Sequence, residues 1–276
     1  MSYYKMIFPD GKVKALTFSY DDGVDADIRL IEIFKKNGLK GTFNLNGGLL
    51  TGEQGKNARK LSEDEAKELY ADPDFEVACH TYTHPFLEKC DPAVALREIV
   101  TDRLKLESLF GCEVHGMAYP FGTYSNTVLD VCRMAGIYYS RSVKSTLNFD
   151  LPTEWLTWHP TCHHINSEIF NLADKFLNEK PGAKENPWLF YVWGHSYEFN
   201  QRNDWDRMEQ ICEKVSGHDD VWYATNMEIY RYCRAFKRLQ YSADGEIVHN
   251  PTSTEIWLCD RRGNAFSIAP GETVKR

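Results

Sequence analysis

No uninterrupted apolar run in the 276-residue sequence approaches the roughly 20 residues of a membrane-spanning helix, so no span is expected. The opening MSYYKMIFPDGK lacks the apolar core of a secretory signal, and a native start there implies a cytoplasmic protein. None of the eight cysteines stands in a C-x-x-C pair, which argues against a thiolate zinc site. Without a signal peptide they read as reduced thiols, for the most part small apolar filler. Positive charge is not in excess: 32 Lys and Arg face 40 Asp and Glu, and the net charge of −8 argues against nonspecific nucleic-acid binding. Neither nucleic acid nor membrane is expected as a partner, and the oligomeric state stays open. No internal repeat, low-complexity segment or linker stands out.

What remains is the composition of a globular α/β protein, with 42% hydrophobic and 26% charged residues. Strand-like and helix-like stretches alternate. Residues 13–20 (VKALTFSY) read as a buried strand, and residues 28–36 have helical spacing and stop at Asn37-Gly38. Residues 41–45 are strand-like. Ser62 and Glu65 form a capping-box pattern for a helix through Leu69. Strand 75–79 is followed by Asp91-Pro92, an N-cap and first-turn proline, opening a helix that ends at Gly111. The alternation continues through strand 114–119, helix 125–134, strand 137–140, helix 167–178, strand 188–194, helix 204–215, strand 221–224 and helix 227–239. It predicts a parallel sheet or barrel wrapped by helices. The tail differs: Asp244-Gly245 and Arg262-Gly263-Asn264 mark two hairpins. The expected division is a catalytic domain over residues 1–238 and a β-hairpin appendage over 239–276, packed on the same domain.

Four polar clusters each follow a predicted strand: Asp21-Asp22-Gly23, His80 and His84 in HTYTH, Pro120-Phe121-Gly122, and His195. Carboxyl ends of parallel strands share one face, where active sites form. H-x-x-x-H brings two imidazoles together on a helical turn or in a tight loop, and the H-E-x-x-H peptidase motif is absent. Two histidines and one carboxylate suit a catalytic divalent cation with open positions for water and substrate. Of the adjacent aspartates, one can bind the cation while the other faces the water as a base. His195, ending an apolar strand, fits a general acid. Read singly, each of these is an ordinary loop or core residue; the combination favours chemistry.

Together these residues resemble the polysaccharide deacetylase family (NodB-homology, carbohydrate esterase family 4). TFSYDDG is similar to its first motif, HTYTH to its second, YPFG at 119–122 to its third, and WGHSYEF to its last. The resemblance covers residues 13–235 and implies a distorted (β/α) barrel, here with the short C-terminal β appendage. It implies Asp21 as catalytic base, His195 as general acid, and Asp22, His80 and His84 as ligands of one divalent metal, zinc first, with cobalt, iron, nickel or manganese as alternatives. The backbone N–H of Phe121 would form an oxyanion hole, with Tyr119 beside it. The implied reaction is hydrolysis of an acetyl group from an N- or O-acetylated saccharide. Alternatives are a non-sugar amide, imide or ureide, as in the allantoinase-like branch, or a noncatalytic metal-containing carbohydrate-binding protein.

Two departures stand out. Many members carry an arginine two residues before the motif-three proline, holding the catalytic aspartate; here that position is Ala118. The aspartate and tryptophan that support the catalytic histidine are not evident, and Asp150, Glu154 and Trp155 are the candidates. The WHPTCHH stretch, with His163, reads as lining the site or as a structural loop, the first being favoured, and Trp155, Trp158 or Trp193 either stack on a sugar or pack in the core.

Overall fold

The computed structural model describes residues 4–182 and 185–276; the first three residues of the expected catalytic domain lie outside them. Strand β1 (Lys5–Ile7) precedes β2 (Lys14–Asp21), which is buried at every position, as a central parallel strand must be. Helix α1 (Ala26–Lys36) leads to β3 (Gly41–Leu45). Helix α2 (Glu63–Leu69) carries the expected capping box, with both reciprocal hydrogen bonds between Ser62 and Glu65 formed. Strand β4 (Phe75–Cys79) is followed by α3 (Pro92–Phe110), capped by the Asp91 side chain at one end and by left-handed Gly111 (φ 67°) at the other. Then come β5 (Gly116–Ala118), α4 (Asn126–Met134), β6 (Tyr139–Arg141), β7 (Cys162–His163), α5 (Ile169–Asn178) and β8 (Trp188–Gly194). Helices α6 (Tyr197–Arg202) and α7 (Trp205–Val215), strand β9 (Val221–Tyr223) and helix α8 (Asn226–Phe236) complete this part.

The main sheet runs β6-β5-β4-β3-β2-β8-β7, with β9 beside the start of β2, and all its pairs are parallel. It is the curled, distorted (β/α) barrel that the family resemblance implies, where the alternation alone left sheet or barrel open. The stretch 158–163 spans the gap between its two edges. Trp158 makes a parallel bridge to Arg141 at the end of β6, and β7 pairs with β8. The WHPTCHH segment therefore closes the barrel.

The tail forms β10 (Gln240–Tyr241), β11 (Ile247–His249), β12 (Ile256–Cys259), β13 (Ala265–Ile268) and β14 (Thr273–Lys275). Both hairpin signals become antiparallel pairs, β10–β11 and β12–β13. β14 adds to β11, while β1 from the other end of the chain adds to β12. Tyr232 of α8 ties the pieces together: its hydroxyl donates to the Ile7 carbonyl (2.7 Å) and accepts from the Trp257 N–H (2.9 Å). Buried Tyr4, Phe8, Leu258 and Ile268 share a second core with Trp158 and Tyr191 of the barrel. Among the described residues, no helix is long and apolar enough to cross a membrane.

Candidate active site

The carboxyl ends of β2, β4, β5, β6, β7 and β8 converge on one rim. At the end of β2 the two aspartates diverge. Asp21 is buried (2% exposed) and accepts from Asn44 Nδ2 at 2.8 Å. The guanidinium of Arg141 grips both its oxygens, with Nη2 at 2.6 Å from Oδ1 and in close contact with Oδ2. Burial alone would raise the Asp21 carboxyl, but Arg141, His80 and His195 outweigh it and hold it at about 2. Asp22 turns away with φ 88°; its Oδ1 lies 3.4 Å from Lys60 Nζ and 3.9 Å from His84 Nε2. Against burial, Lys60 and the neighbouring histidines lower its carboxyl as well.

His80 and His84 lie in a tight loop rather than on a helix. The His80 backbone N–H donates to the Leu45 carbonyl and to the buried carboxylate of Asp102 (3.0 Å). Its ring Nδ1 is 2.8 Å from the Ala118 carbonyl, a bond that requires the proton on Nδ1 and leaves the Nε2 lone pair facing the site. Burial lowers this imidazole to about 4, so it is neutral near pH 7, as a ligand must be. One ligand atom each from Asp22, His80 and His84 lies within 4.8 Å of the others. That donor set, open on the cleft side, fits one divalent cation.

His195 follows β8. Its Nε2 is 3.9 Å from Asp21 Oδ2, and its Nδ1 is 3.4 Å from Glu198 Oε1. Burial lowers its pKa, but Glu198 and the two aspartates outweigh burial and raise it. Glu198, in the first turn of α6, takes the place that the sequence assigned to Asp150, Glu154 or Trp155. Those three are a correction. Asp150 is exposed, Glu154 is an exposed cap at the Leu156 N–H, and Trp155 is buried in the second core against Trp158 and Tyr230. His195 and Glu198 are three residues apart, the spacing of neighbours on a helical turn, and that was the available signal.

Arg141 resolves the missing arginine. It pairs with Ala118 in the parallel register of β5 and β6, so both side chains leave the same face of the sheet. The guanidinium is fully buried and lies over the Trp193 ring at 4.3 Å. Strand 137–140, as read from sequence, stopped one residue short of it.

Tyr119 is a second correction. Its side chain is fully buried, and its hydroxyl donates to the Leu156 carbonyl at 2.8 Å, so the side chain supports the barrel wall. Phe121, with φ 60°, is 47% exposed, stacks on Phe86 (3.7 Å between centroids, 8°) and meets the His84 ring edge-on. Trp158 is core; Trp193 walls the site between Arg141 and His163. His163 lies beside Trp193 and Glu198.

Of seven non-glycine residues with positive φ among those described, four are Asp22, Thr81, His84 and Phe121. Such strain persists where surrounding structure enforces it, most often at active sites. A cleft of about 550 Å³ opens over them, lined by Asp22, Asn57, Lys60, His84, Phe121 and Tyr197. A cleft of about 610 Å³ beside the start of β4 carries none of this cluster.

An α/β barrel with a His/His/Asp cluster and an Asp–His pair at the carboxyl ends of its strands has the layout of a barrel hydrolase. Comparison with known proteins adds a likeness over part of the chain. Residues 9–140 match the family model of polysaccharide deacetylase, a family of hydrolases acting on amide or ester bonds, and this is the family that the four motifs resemble. Among solved structures, a polysaccharide-deacetylase-type protein from Mycobacterium smegmatis superposes with a TM-score of 0.58 at 15% identity, over 86% of this chain and 96% of that one. A mutant of the peptidoglycan deacetylase PdaC from Bacillus subtilis gives 0.52 at 18%, over 84% and 96%. The Streptococcus pyogenes deacetylase PplD, in complex with acetate, gives 0.42 at 25% identity; the match spans 46% of this chain and about half (55%) of that one. No curated protein matches the chain.

Proposed function

We propose that the protein hydrolyses an acetyl group from an N- or O-acetylated carbohydrate, with a divalent cation held by Asp22, His80 and His84. The reading is carried by one observation: a ligand cluster, two of whose members line a cleft, lies beside an Arg-clamped aspartate and a Glu-backed histidine. A cation bound there would supply Lewis acidity to the reaction. Zinc suits the donors, and cobalt, iron, nickel or manganese can occupy the same set.

The chain's own groups divide the remaining work. Asp21, ionised at any working pH, takes the proton of the attacking water as its oxygen bonds to the acyl carbon. Arg141 fixes the carboxylate's direction but makes it a weak base, so the water must itself be acidified. The Phe121 N–H is the group assigned to the developing oxyanion by the third motif. His195, its Nδ1 against Glu198, delivers a proton from Nε2 to the departing amine or alkoxide as the carbon–nitrogen or carbon–oxygen bond breaks. The stacked Phe86–Phe121 pair offers an apolar face to a sugar ring.

The test is acetate release from a panel of acetylated mono- and oligosaccharides, with added zinc or cobalt and a chelator control. Release that the chelator abolishes is the expected result. No release from any metal-loaded sample would overturn the carbohydrate reading and direct the search to non-sugar amides, imides and ureides.

A further inference from the structure

A second donor cluster lies on the far side of His195. His163 and His164 are consecutive at the end of β7, and Glu198 faces them from α6. Glu198 Oε2 is 3.3 Å from His163 Nε2 and 3.1 Å from His164 Nε2, and one ligand atom from each residue lies within 4.8 Å of the others. In a tetrahedral zinc site with bonds of about 2.0–2.1 Å, neighbouring donors are roughly 3.3 Å apart, so two of these spacings are already those of ligands.

The polar accounting points the same way. The His164 side chain is fully buried; its Nε2 meets Glu198 Oε2 at 3.1 Å as an ion-pair contact rather than a well-aligned hydrogen bond, and its Nδ1 has no hydrogen-bond partner among the described residues. Buried polar groups are nearly always paired, and a buried imidazole and carboxylate that face each other without a well-aligned hydrogen bond leave a place for an ion or water. The His164 ring cannot swing away to find partners. It is stacked between Tyr20 (5.7 Å, 14°) and Phe199 (4.2 Å, 29°), and a Cβ at Gly194 would fall 1.9 Å from its Nδ1. His163 and Glu198 reach solvent, with side chains 16% and 22% exposed, which leaves an entry path and a position for water.

We propose that His163, His164 and Glu198 form a second divalent-cation site, distinct from the Asp22–His80–His84 cluster and suited to zinc or cobalt. Glu198 shows its other oxygen to His195. A cation on Oε2 therefore draws on the charge that backs His195, and excess metal should inhibit turnover.

Cobalt(II) and zinc titrations of the metal-stripped full chain, read by equilibrium dialysis with elemental analysis and by cobalt absorption, test this. Two ions per chain are expected in the wild type. One is expected in His163→Ala, whose position is half-buried, and one in Glu198→Gln; circular dichroism checks that both are folded. His80→Ala should keep the second ion. A wild type that binds a single ion lost in His80→Ala overturns the second site and leaves the proposed catalytic centre standing. Two ions that both survive His163→Ala and Glu198→Gln overturn it as well. A His80→Ala protein that loses no ion, while His163→Ala loses one, counts against the catalytic centre alone.

Discussion

Arg141 and Asp21 form an ion pair with almost no solvent contact, and its cost of disruption can be worked from the structure. Arg141→Met keeps a long apolar stem against Trp193 but leaves the Asp21 carboxylate buried with Asn44 as its main remaining donor. Breaking a buried pair from one side costs about 3–5 kcal/mol, because the surviving charge has lost both water and partner. At roughly 2–4 °C per kcal/mol for a chain of this size class, the melting temperature should fall by about 6–20 °C. Asp21→Asn in the same background removes the stranded charge, so the double variant should recover most of the loss. The cycle should report a coupling of at least about 2 kcal/mol. The assay is unfolding of the four proteins in one chelator-containing buffer at pH 7.5. An Arg141→Met protein within about 1 kcal/mol of wild type, or an additive double variant, would refute the reasoning.

The pH dependence has a definite sign. The folded Asp21 carboxyl sits at about 2, below its ordinary 3.8. Its stabilising contribution is therefore complete above 3.8 and is lost as pH falls toward 2. In Arg141→Met the same carboxyl accepts a proton at higher pH, so the deficit should shrink on acidification below pH 5. A further variant moves the cation: Ala118→Arg with Arg141→Ala puts the guanidinium on the partner strand at the same register. It should regain part of the activity that Arg141→Ala alone loses, and this partial rescue is what a merely structural arginine would not give.

Three further outcomes are expected. Asp22→Ala or His80→Ala should lose the ion of that centre and acetate release together, read as one ion fewer per chain by elemental analysis beside the activity assay. Asp21→Asn should retain the cation at the Asp22 centre and lose roughly 10²–10⁴ in turnover, the size of a general-base effect; full activity would remove Asp21 from the reaction. Asp27 is buried under Ser196, Tyr70 and the Val24 N–H, and burial raises its carboxyl to about 7 despite those donors. A raised carboxyl weighs against the folded state as pH climbs from 3.8 through 7, by up to about 4 kcal/mol. Thermal melts should show wild type gaining on Asp27→Asn as pH falls from 8 to 5, and parallel curves would exclude this.

Much of the framework is legible because its signals are local. Asp91, Pro92 and Gly111 bound α3 by capping chemistry alone, and Ser62 with Glu65 starts α2. The polar clusters after strands 13–20, 75–79 and 188–194 do share one rim, since parallel strands leave no other arrangement. What escapes is non-local. The two-residue strand β7 exists only because residues 158–163 must bridge β6 to β8, and two residues carry no periodicity. Strand β1 joins the tail across almost the whole chain, and its three residues are too few to declare themselves.

The misread site residues show the same limit at the scale of single charges. At Ala118 the motif is missing its arginine, and at Asp150 and Glu154 it finds a carboxylate in the wrong place. The chemistry asks only that a guanidinium meet Asp21 and that a carboxylate meet His195. The barrel offers more than one position projecting to each point: position 141 is the register partner of 118, and Glu198 lies one helical turn past His195. A motif records one chain route to such a point. The sheet register and the helical repeat give the others, so a vacant motif position in this fold is first a reason to search the neighbouring strand and the next turn.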